Sequence, residues 1–216
     1  MSGGPAAAAG GRREAGEVVV AFERCIRSGG VALFPADTVY GLACKADDEA
    51  AVARLYRLKR RPPDKAAAVM FFSLEAALEA LPELGERTRA ALRRLMPGGV
   101  TALLPNPRRR FPLACRADPE TLGLRVVAVP LLAGARVAVL QSSANLAGGP
   151  DARRLADVPA EIRQGVDLEL DGGQLPGVPS TVVDLRGYER GLGRRWQVLR
   201  RGAVSEQQLA AKLDAS

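Results

Sequence analysis

A chain of 216 residues, 47% of them hydrophobic, is long enough to bury one sizeable core, and we predict a single α/β domain. Its 31 lysines and arginines against 24 acidic residues give a net charge of +7, which favours anionic partners such as nucleotide phosphates or RNA. The absence of histidine excludes Ser-His and Cys-His catalytic pairs, so any chemistry must use lysine, arginine, carboxylates, hydroxyls or the backbone.

The cysteine pattern and the hydropathy indicate a protein of a reducing, cytoplasmic compartment. Cys25, Cys44 and Cys115 are widely separated and predict neither a disulfide framework nor a zinc site. No stretch has the length and apolarity of a membrane span or a signal peptide. We expect residues 1–14, which begin Gly- and Ala-rich, to form a flexible tail and residues 15–216 to form the domain.

The hydrophobic pattern predicts helices that alternate with short strands. Helical spacing and end signals predict helices at 15–27, 47–58, 74–80, 86–95 and 205–213, with short ones near 152 and 159. Short apolar runs predict strands at 31–34, 67–72, 100–104, 124–129, 137–141, 166–170, 181–185 and 196–199, with a basic, hairpin-like excursion at 187–195. Because the alternation is not strict, we expect a mixed, twisted sheet with flanking helices.

Polar or basic residues occupy five segments at the ends of predicted strands, where open α/β sheets bind ligands. The segment from Pro35 to Leu42 offers a hydroxyl, a carboxylate and a phenol; the alternative is an ordinary turn with a capping aspartate. The segment from Lys59 to Lys65 carries four cations, which either hold a triphosphate or simply suit the C-terminus of a helix.

The remaining three segments combine hydroxyls, an amide and arginine. Arg125 lies in an otherwise apolar strand and needs an anion, either a ligand or a structural carboxylate. Ser143 and Asn145 follow a strand and either hold phosphate or ribose oxygens or cap the next turn. Ser180 precedes a strand, and Arg200 belongs to a basic turn; the alternative is an edge strand with routine turn residues. No P-loop or Gly-x-Gly-x-x-Gly motif occurs.

Taken in order, these segments resemble the signature of the YrdC-like threonylcarbamoyl-AMP synthases. The correspondence runs without interruption from about residue 29 to residue 204 and includes Thr38-Val39-Tyr40-Gly41-Leu42, Ala144-Asn145 and Ser180-Thr181-Val182-Val183-Asp184. The resemblance implies the short, single-domain form of a YrdC-like fold, with a concave basic groove. It also implies that L-threonine, bicarbonate and ATP, with Mg²⁺, form threonylcarbamoyl-AMP and pyrophosphate for N6-threonylcarbamoyladenosine modification of tRNA, together with partner proteins.

The same resemblance implies two sets of site residues. Those for ATP are Lys59, Arg61, Lys65, Thr121, Ser143, Asn145 and Arg200. Those for threonine are Thr38, Arg125 and Ser180. No side chain is assigned as nucleophile or base, because the reaction needs screened charges and aligned reactants more than a protein nucleophile.

The chain departs from the family pattern at Ala36, Arg60, Ala66, Met70, Gly99 and Val127. Arg60 replaces a glycine, and a left-handed backbone there would strain an arginine and could redirect Arg61. Met70 replaces a frequent histidine and removes a polar contact to threonine.

Two alternative functions remain. The first is a non-catalytic RNA-binding module on the same fold, with direct tRNA contact, suggested by the net charge and by the clusters Arg108-Arg109-Arg110 and Arg194-Arg195. The aromatic content of 4% disfavours it, because few rings are available to stack on bases. The second is an enzyme that forms a carbamoyl-adenylate from carbamoyl phosphate, for which the expected zinc-finger and acylphosphatase-like parts are not found in the sequence.

Overall fold

The computed structural model describes residues 6–190 and 196–214, with side chains from Gly16 onward. The helices are α1 (Ala6–Arg27), α2 (Glu49–Leu58), α3 (Leu74–Ala80), α4 (Glu86–Leu95), α5 (Pro112–Cys115), α6 (Ala160–Gln164) and α7 (Glu206–Leu213). The strands are β1 (Ala32–Pro35), β2 (Tyr40–Lys45), β3 (Ala68–Phe71), β4 (Val100–Pro105), β5 (Thr121–Val126), β6 (Val139–Ser143), β7 (Leu168–Glu169), β8 (Thr181–Asp184) and β9 (Gln197–Arg200).

The strands of this described part form one sheet in the order β7-β1-β2-β6-β3-β5-β4-β8-β9. Parallel pairing joins β1 to β7, β3 to β5 and β4 to β8, and the other neighbours are antiparallel. The prediction of a mixed, twisted sheet with flanking helices is therefore confirmed.

Strand β2 and helix α5 were missed by the sequence analysis. Residues 35–42 were predicted as a loop, but the chain turns between Ala36 and Val39 and returns as β2, antiparallel to β1. The first five residues of β2 are all buried, because the strand lies between β1 and β6 in the sheet. A strand buried on both faces lacks the polar and apolar alternation that would identify it.

Side-chain caps fix the starts of three helices. Asp48 accepts a hydrogen bond from the Ala51 amide at 2.9 Å, Ser73 caps α3, and Ser205 caps α7. Each cap satisfies a backbone donor that has no partner within its helix. The predicted beginnings of these helices agree with the structure to within two residues.

Helix α1 begins at Ala6, nine residues before the predicted helix. The added segment starts with a run of alanines, which have the highest intrinsic helix propensity. Residues 1–5 lie outside the described residues, and the flexible character of residues 1–14 stays a prediction.

The excursion at 187–195 is described only to residue 190, as one 3₁₀ turn at Tyr188–Arg190.

Two hydrophobic clusters cover the two faces of the sheet. Along β1, Leu33 belongs to the larger cluster, whereas Phe34 belongs to the smaller cluster beneath α1. The alternation follows the two-residue period of a strand. Phe22 of α1 is fully buried in the smaller cluster, with its ring centroid 5.6 Å from that of Phe34 and 5.5 Å from that of Phe72.

No helix in the described part of the chain combines the length and apolarity needed to cross a bilayer.

Truncating Phe22 should therefore loosen α1 from the sheet. We expect Phe22→Ala to lower the free energy of unfolding by about 3–5 kcal/mol, because it removes a fully buried ring and leaves a cavity. Val20→Ala is the control on the same helix, since Val20 is 64% exposed, and should change the free energy by about 0.5 kcal/mol or less. Urea denaturation measures both, and equal effects of the two substitutions would contradict the packing described for α1.

Candidate functional site

A cleft of about 370 Å³ crosses one face of the sheet. Its lining takes alternate residues from neighbouring strands, as shown by Thr101 and Leu103 on β4 and by Gly123 and Arg125 on β5. Side chains two apart in a strand point to the same face. The small residues Ala68 and Gly123 form part of the floor, which leaves the sheet surface free for a ligand. We call this the main cleft.

The main cleft brings together six of the ten predicted site residues, namely Arg61, Thr121, Arg125, Ser143, Ser180 and Arg200. Three guanidinium groups therefore meet there, against the two carboxylates of Asp118 and Asp151. The predicted excess of positive charge is present but small. Thr121 also accepts a hydrogen bond from Arg186 Nη1 at 3.1 Å.

Lys59 does not line this cleft but lies beneath it, with 2% of its surface exposed. Its ammonium group donates to the carbonyl of Ser143 and, at 2.7 and 3.0 Å, to the carbonyl and the side-chain Oδ1 of Asn145. The Ser143 hydroxyl also donates to Asn145 Oδ1, at 2.6 Å. Lys59 and Asn145 thus hold Ser143 in place, and their contact with ATP stays a prediction.

The environment of Lys59 weakens its hold on a proton. The pKa of its ammonium group is lowered to about 8, chiefly by burial and also by the nearby Arg61 guanidinium, while Asp151 acts in the opposite direction. A charge removed from water loses hydration, which favours the neutral amine. Lys59 can therefore change its charge within an experimentally accessible pH range.

Arg61 lines the main cleft, and its neighbour Arg60 has the left-handed backbone that we expected. Arg60 has φ of 51°, in the left-handed region, which costs about 1–2 kcal/mol for a residue other than glycine. Its side chain turns outward to Glu161 at 2.7 Å, so it adds no charge to the cleft. Arg61 donates to the carbonyl of Ala66 and packs over the Tyr56 ring at 5.5 Å. Arg61 thus lines the main cleft beside the left-handed Arg60.

Lys65 is exposed in the same loop and does not line the cleft. Its backbone carbonyl accepts a hydrogen bond from the Tyr56 hydroxyl at 2.6 Å, which anchors the loop to α2. The contact of the Lys65 side chain with phosphate stays a prediction.

The anion that Arg125 needs is supplied by Asp37. Arg125 is 4% exposed, its Nη2 forms an ion pair with the Asp37 carboxylate, and its Nη1 lies 3.5 Å from Gln141 Oε1. Burial lowers the pKa of the guanidinium, while Asp37 acts against this shift. The sequence analysis assigned Asp37 no role in the site, although it precedes Thr38 directly.

Thr38 lies in a second cleft, of about 580 Å³, which we call the second cleft. Its lining includes Asp37, Thr38, Gly98, Gly99, Val178 and Ala203. Space at Gly99 is tight, since a Cβ there would lie 2.9 Å from that of Ala203 and 3.4 Å from Thr38 Cγ2. Because Arg125 lines the main cleft and Asp37 the second, their ion pair forms part of the wall between the two. The predicted threonine residues are thus divided by this wall.

Ser180 is held by two partners in the main cleft. Its hydroxyl lies 2.7 Å from Thr101 Oγ1, and Arg200 Nη2 donates to its carbonyl at 2.9 Å and to its hydroxyl at 3.2 Å. Thr101 was missed because it lies inside an apolar strand with no local signal of function. Arg200 brings a second cation to the Arg125 end of the cleft.

Three of the departures from the family pattern lie in the smaller core. Ala36, Met70 and Val127 are at most 2% exposed and pack in the cluster beneath α1. Met70 therefore offers no polar group to either cleft. Among the described residues, no group of three or more His, Cys, Asp or Glu side chains is placed to hold a metal ion.

The buried ion pair predicts unequal effects of two arginine substitutions. Arg125→Ala should lower the free energy of unfolding by about 3–5 kcal/mol, because it leaves the Asp37 carboxylate without its partner. Arg61→Ala, whose side chain borders the open cleft, should change it by about 1 kcal/mol or less. Replacing Asp37 as well should recover part of the free energy of unfolding that Arg125→Ala loses. Chemical denaturation measures all the variants, and a double variant no more stable than Arg125→Ala would contradict the ion pair.

The pKa of Lys59 predicts a pH-dependent stability. Between pH 8 and pH 10 the folded lysine is largely neutral, whereas the unfolded one, with its ordinary value of 10.5, still binds a proton. Stability should therefore rise with pH in this window, by up to about 1.4 kcal/mol per pH unit, and the gain is lost as the pH falls through 8. Denaturation of the wild type and of Lys59→Met across this range isolates the effect, and parallel pH profiles would contradict it.

Comparison with known proteins places this chain in a defined family. The family model Sua5/YciO/YrdC, described as telomere recombination, matches residues 24–202. A threonylcarbamoyl-AMP synthase of Chromohalobacter salexigens is 38% identical over 170 residues, which cover 76% of this chain and 90% of that protein.

Solved structures agree with this match. The structure of Pyrococcus abyssi Sua5 complexed with L-threonine is similar with a TM-score of 0.77 and 28% identity over 93% of this chain, which spans 58% of that longer protein. Escherichia coli YciO is similar with a TM-score of 0.74 and 25% identity, over 90% of this chain and 93% of that one. This chain therefore belongs to the Sua5/YciO/YrdC family.

Proposed function

We propose that this chain is an L-threonylcarbamoyladenylate synthase, which forms threonylcarbamoyl-AMP and pyrophosphate from L-threonine, bicarbonate and ATP. The observation that carries the proposal is the convergence of Arg61, Arg125, Ser143, Ser180 and Arg200 on one cleft of a suitable size. The relatives that match over nearly their whole length are synthases of this kind.

The cleft offers a phosphate end and an amino-acid end. Arg61 and the Ser143 hydroxyl supply hydrogen-bond donors for phosphate oxygens, and Lys59 adds a cation just beneath them. Arg125, Arg200 and Ser180 meet at the other end, where two guanidinium groups suit a carboxylate. A carbamate formed on the amino acid would then face the α-phosphate of a nucleotide that lies along the cleft.

The proposed reaction needs no protein nucleophile. The threonine amine attacks the carbon of bicarbonate, and loss of water gives the carbamate. A carbamate oxygen then attacks the α-phosphorus of ATP, and pyrophosphate leaves. Charge develops on phosphate oxygens in this second step, and fixed guanidinium groups stabilise it without reorganisation. A chain without histidine can perform these steps by positioning its reactants.

Mg²⁺ would accompany the triphosphate. The donors available in the cleft are the single carboxylates Asp118 and Asp151, which fits an ion bound mainly by phosphate oxygens and water. Such an ion would neutralise the charge of pyrophosphate as it leaves. The product is a reactive mixed anhydride, so we further propose partner proteins that pass it to tRNA in the cytoplasm.

The non-catalytic RNA-binding alternative is less well supported. In the cluster Arg108-Arg109-Arg110, Arg110 is paired with Glu83 at 2.8 Å and Arg109 with Glu120 at 3.4 Å, which reduces its attraction for phosphates. The second cluster, Arg194-Arg195, lies outside the described residues. Direct tRNA contact stays a prediction.

The decisive experiment measures pyrophosphate release with ATP, Mg²⁺ and bicarbonate, with and without L-threonine. We expect threonine-dependent release by the wild type and a loss of about 10- to 100-fold in kcat/KM for ATP in Arg61→Ala, because a charged hydrogen-bond donor to phosphate is removed. Arg60→Ala removes a cation of the same loop that points to Glu161, and it should stay within about twofold.

Two outcomes would contradict the proposal. Wild-type protein that is folded but releases no pyrophosphate in response to threonine would reject it. RNA binding that falls steeply with salt and survives Arg61→Ala, in a protein without this activity, would favour the alternative.

A further inference from the structure

One corner of the main cleft lies away from both the proposed phosphate end and the proposed amino-acid end. Thr121, at the start of β5, is separated from Ser143 on β6 by one strand, β3, or about 10 Å across the sheet. It lies four residues before Arg125, or about 13 Å along β5. The cleft lining here also includes Leu103, Asp118 and Gly123, and we call these three residues together with Thr121 the Thr121 corner.

The side chain of Arg186 crosses the sheet at this corner. Arg186 follows β8, and its Nη2 and Nε donate to the two carboxylate oxygens of Asp184 at 2.7 and 3.0 Å. Its Nη1 donates to Thr121 Oγ1 at 3.1 Å. Because β4 lies between β8 and β5, the guanidinium group reaches over one whole strand. The forked contact with Asp184 fixes the orientation of this group at the border of the cleft.

The contact with Arg186 also fixes the direction of the Thr121 hydroxyl group. A guanidinium group only donates hydrogen bonds, so Thr121 Oγ1 must accept from it and direct its own proton elsewhere. Among the described residues, no acceptor is found for that proton. Since Thr121 lines the main cleft, its hydroxyl group is set in advance as a donor to a ligand there.

A carboxylate supplies an acceptor at the same corner. Asp118 lines the cleft, and its Oδ2 lies 3.9 Å from Arg186 Nη1, the nitrogen that also contacts Thr121. Beneath these groups, Leu103 and Gly123 pair across β4 and β5 and form a floor with little bulk. The edge of adenine carries ring nitrogens that accept beside an amino group that donates, whereas guanine has a carbonyl oxygen in place of the amino group.

We propose that the Thr121 corner recognises the base of the nucleotide: Thr121 donates to a ring nitrogen of adenine, Asp118 accepts from its amino group, and Arg186 is the positioning residue that fixes the Thr121 donor. This role rests on the proposed function and adds to it the means by which ATP is chosen over GTP. Guanine would place its carbonyl oxygen against the Asp118 carboxylate and its ring N–H group against the Thr121 proton. Rejection then comes from repulsive contacts as well as from lost hydrogen bonds.

Calorimetry with non-hydrolysable analogues of ATP and GTP tests this recognition. The wild type should bind the ATP analogue about 10- to 100-fold more tightly, as expected when a donor and an acceptor pair with the edge of a base. In Arg186→Met the preference should fall to about threefold or less, because the Thr121 hydroxyl can then rotate and accept from guanine. Thr121→Val, which lacks the hydroxyl group, should lower the preference to a similar extent.

A double substitution shows whether Arg186 acts through Thr121. In the Thr121→Val background, Arg186→Met should change the preference by about twofold or less, because the group that it orients is already absent. In steady-state assays, kcat with ATP in Arg186→Met should stay within about threefold of the wild type, since Arg186 is placed away from the reacting atoms.

Arg163→Met is the matched control. Arg163 forms a forked pair with Glu169 on β7, at the other side of the sheet, and its side chain is exposed to a similar extent, 39% against 45% for Arg186. Its replacement removes the same kind of ion pair and should keep the wild-type preference. A loss of preference in this variant as well would indicate a general structural effect and contradict the role of Arg186.

Two other results would overturn the proposal. One is folded wild-type protein that binds the two analogues equally well, which needs no variant. The other is folded Arg186→Met that keeps the full preference, or that changes it equally with and without the Thr121 hydroxyl. The proposed function is judged separately, by threonine-dependent pyrophosphate release. A protein that prefers the ATP analogue without this release would retain the base recognition and lose the proposed function, and absence of nucleotide binding would reject both.

Discussion

A buried guanidinium group must have an anion, and this requirement organises the site. Arg125 lies on β5 in the middle of the sheet, and its partner Asp37 lies on the turn between β1 and β2. The pair therefore ties an outer hairpin to the central strands across one face. It also fixes the wall that separates the main cleft from the second cleft, so the shape of both depends on one ion pair.

Lys59 is a second buried cation, and it supports the main cleft from beneath. It closes α2 and connects that helix to the end of β6 through the carbonyl groups of Ser143 and Asn145. Small side chains on the sheet between these two supports, such as Ala68 and Gly123, leave the space in which a ligand fits. The cleft is thus an uncovered part of the sheet, with the buried cation Arg125 in its lining and the buried cation Lys59 beneath it.

Local signals in the sequence predicted most elements and most of the cleft residues. Apolar runs and capping residues located β3, α3 and α4 to within one residue, and the ordered segments located Arg61, Ser143 and Ser180 in the cleft. What the sequence could not reveal depends on contacts between distant parts of the chain. The partner of Arg125 is 88 positions away, and the carbonyl groups that bury Lys59 are more than 80 positions away. The uniform burial of β2 likewise results from its neighbours in the sheet.

The shared wall has a consequence for inhibition. Asp37 and Thr38 form one side of the second cleft, which also contains the exposed apolar side chain of Val178 and several small residues. A compact apolar molecule bound there would contact Asp37 and disturb its ion pair with Arg125, while the end of the main cleft that we propose for the nucleotide stayed open. Such a compound would block the enzyme without competing with ATP, and thus avoid the cross-reactivity that burdens mimics of a common nucleotide.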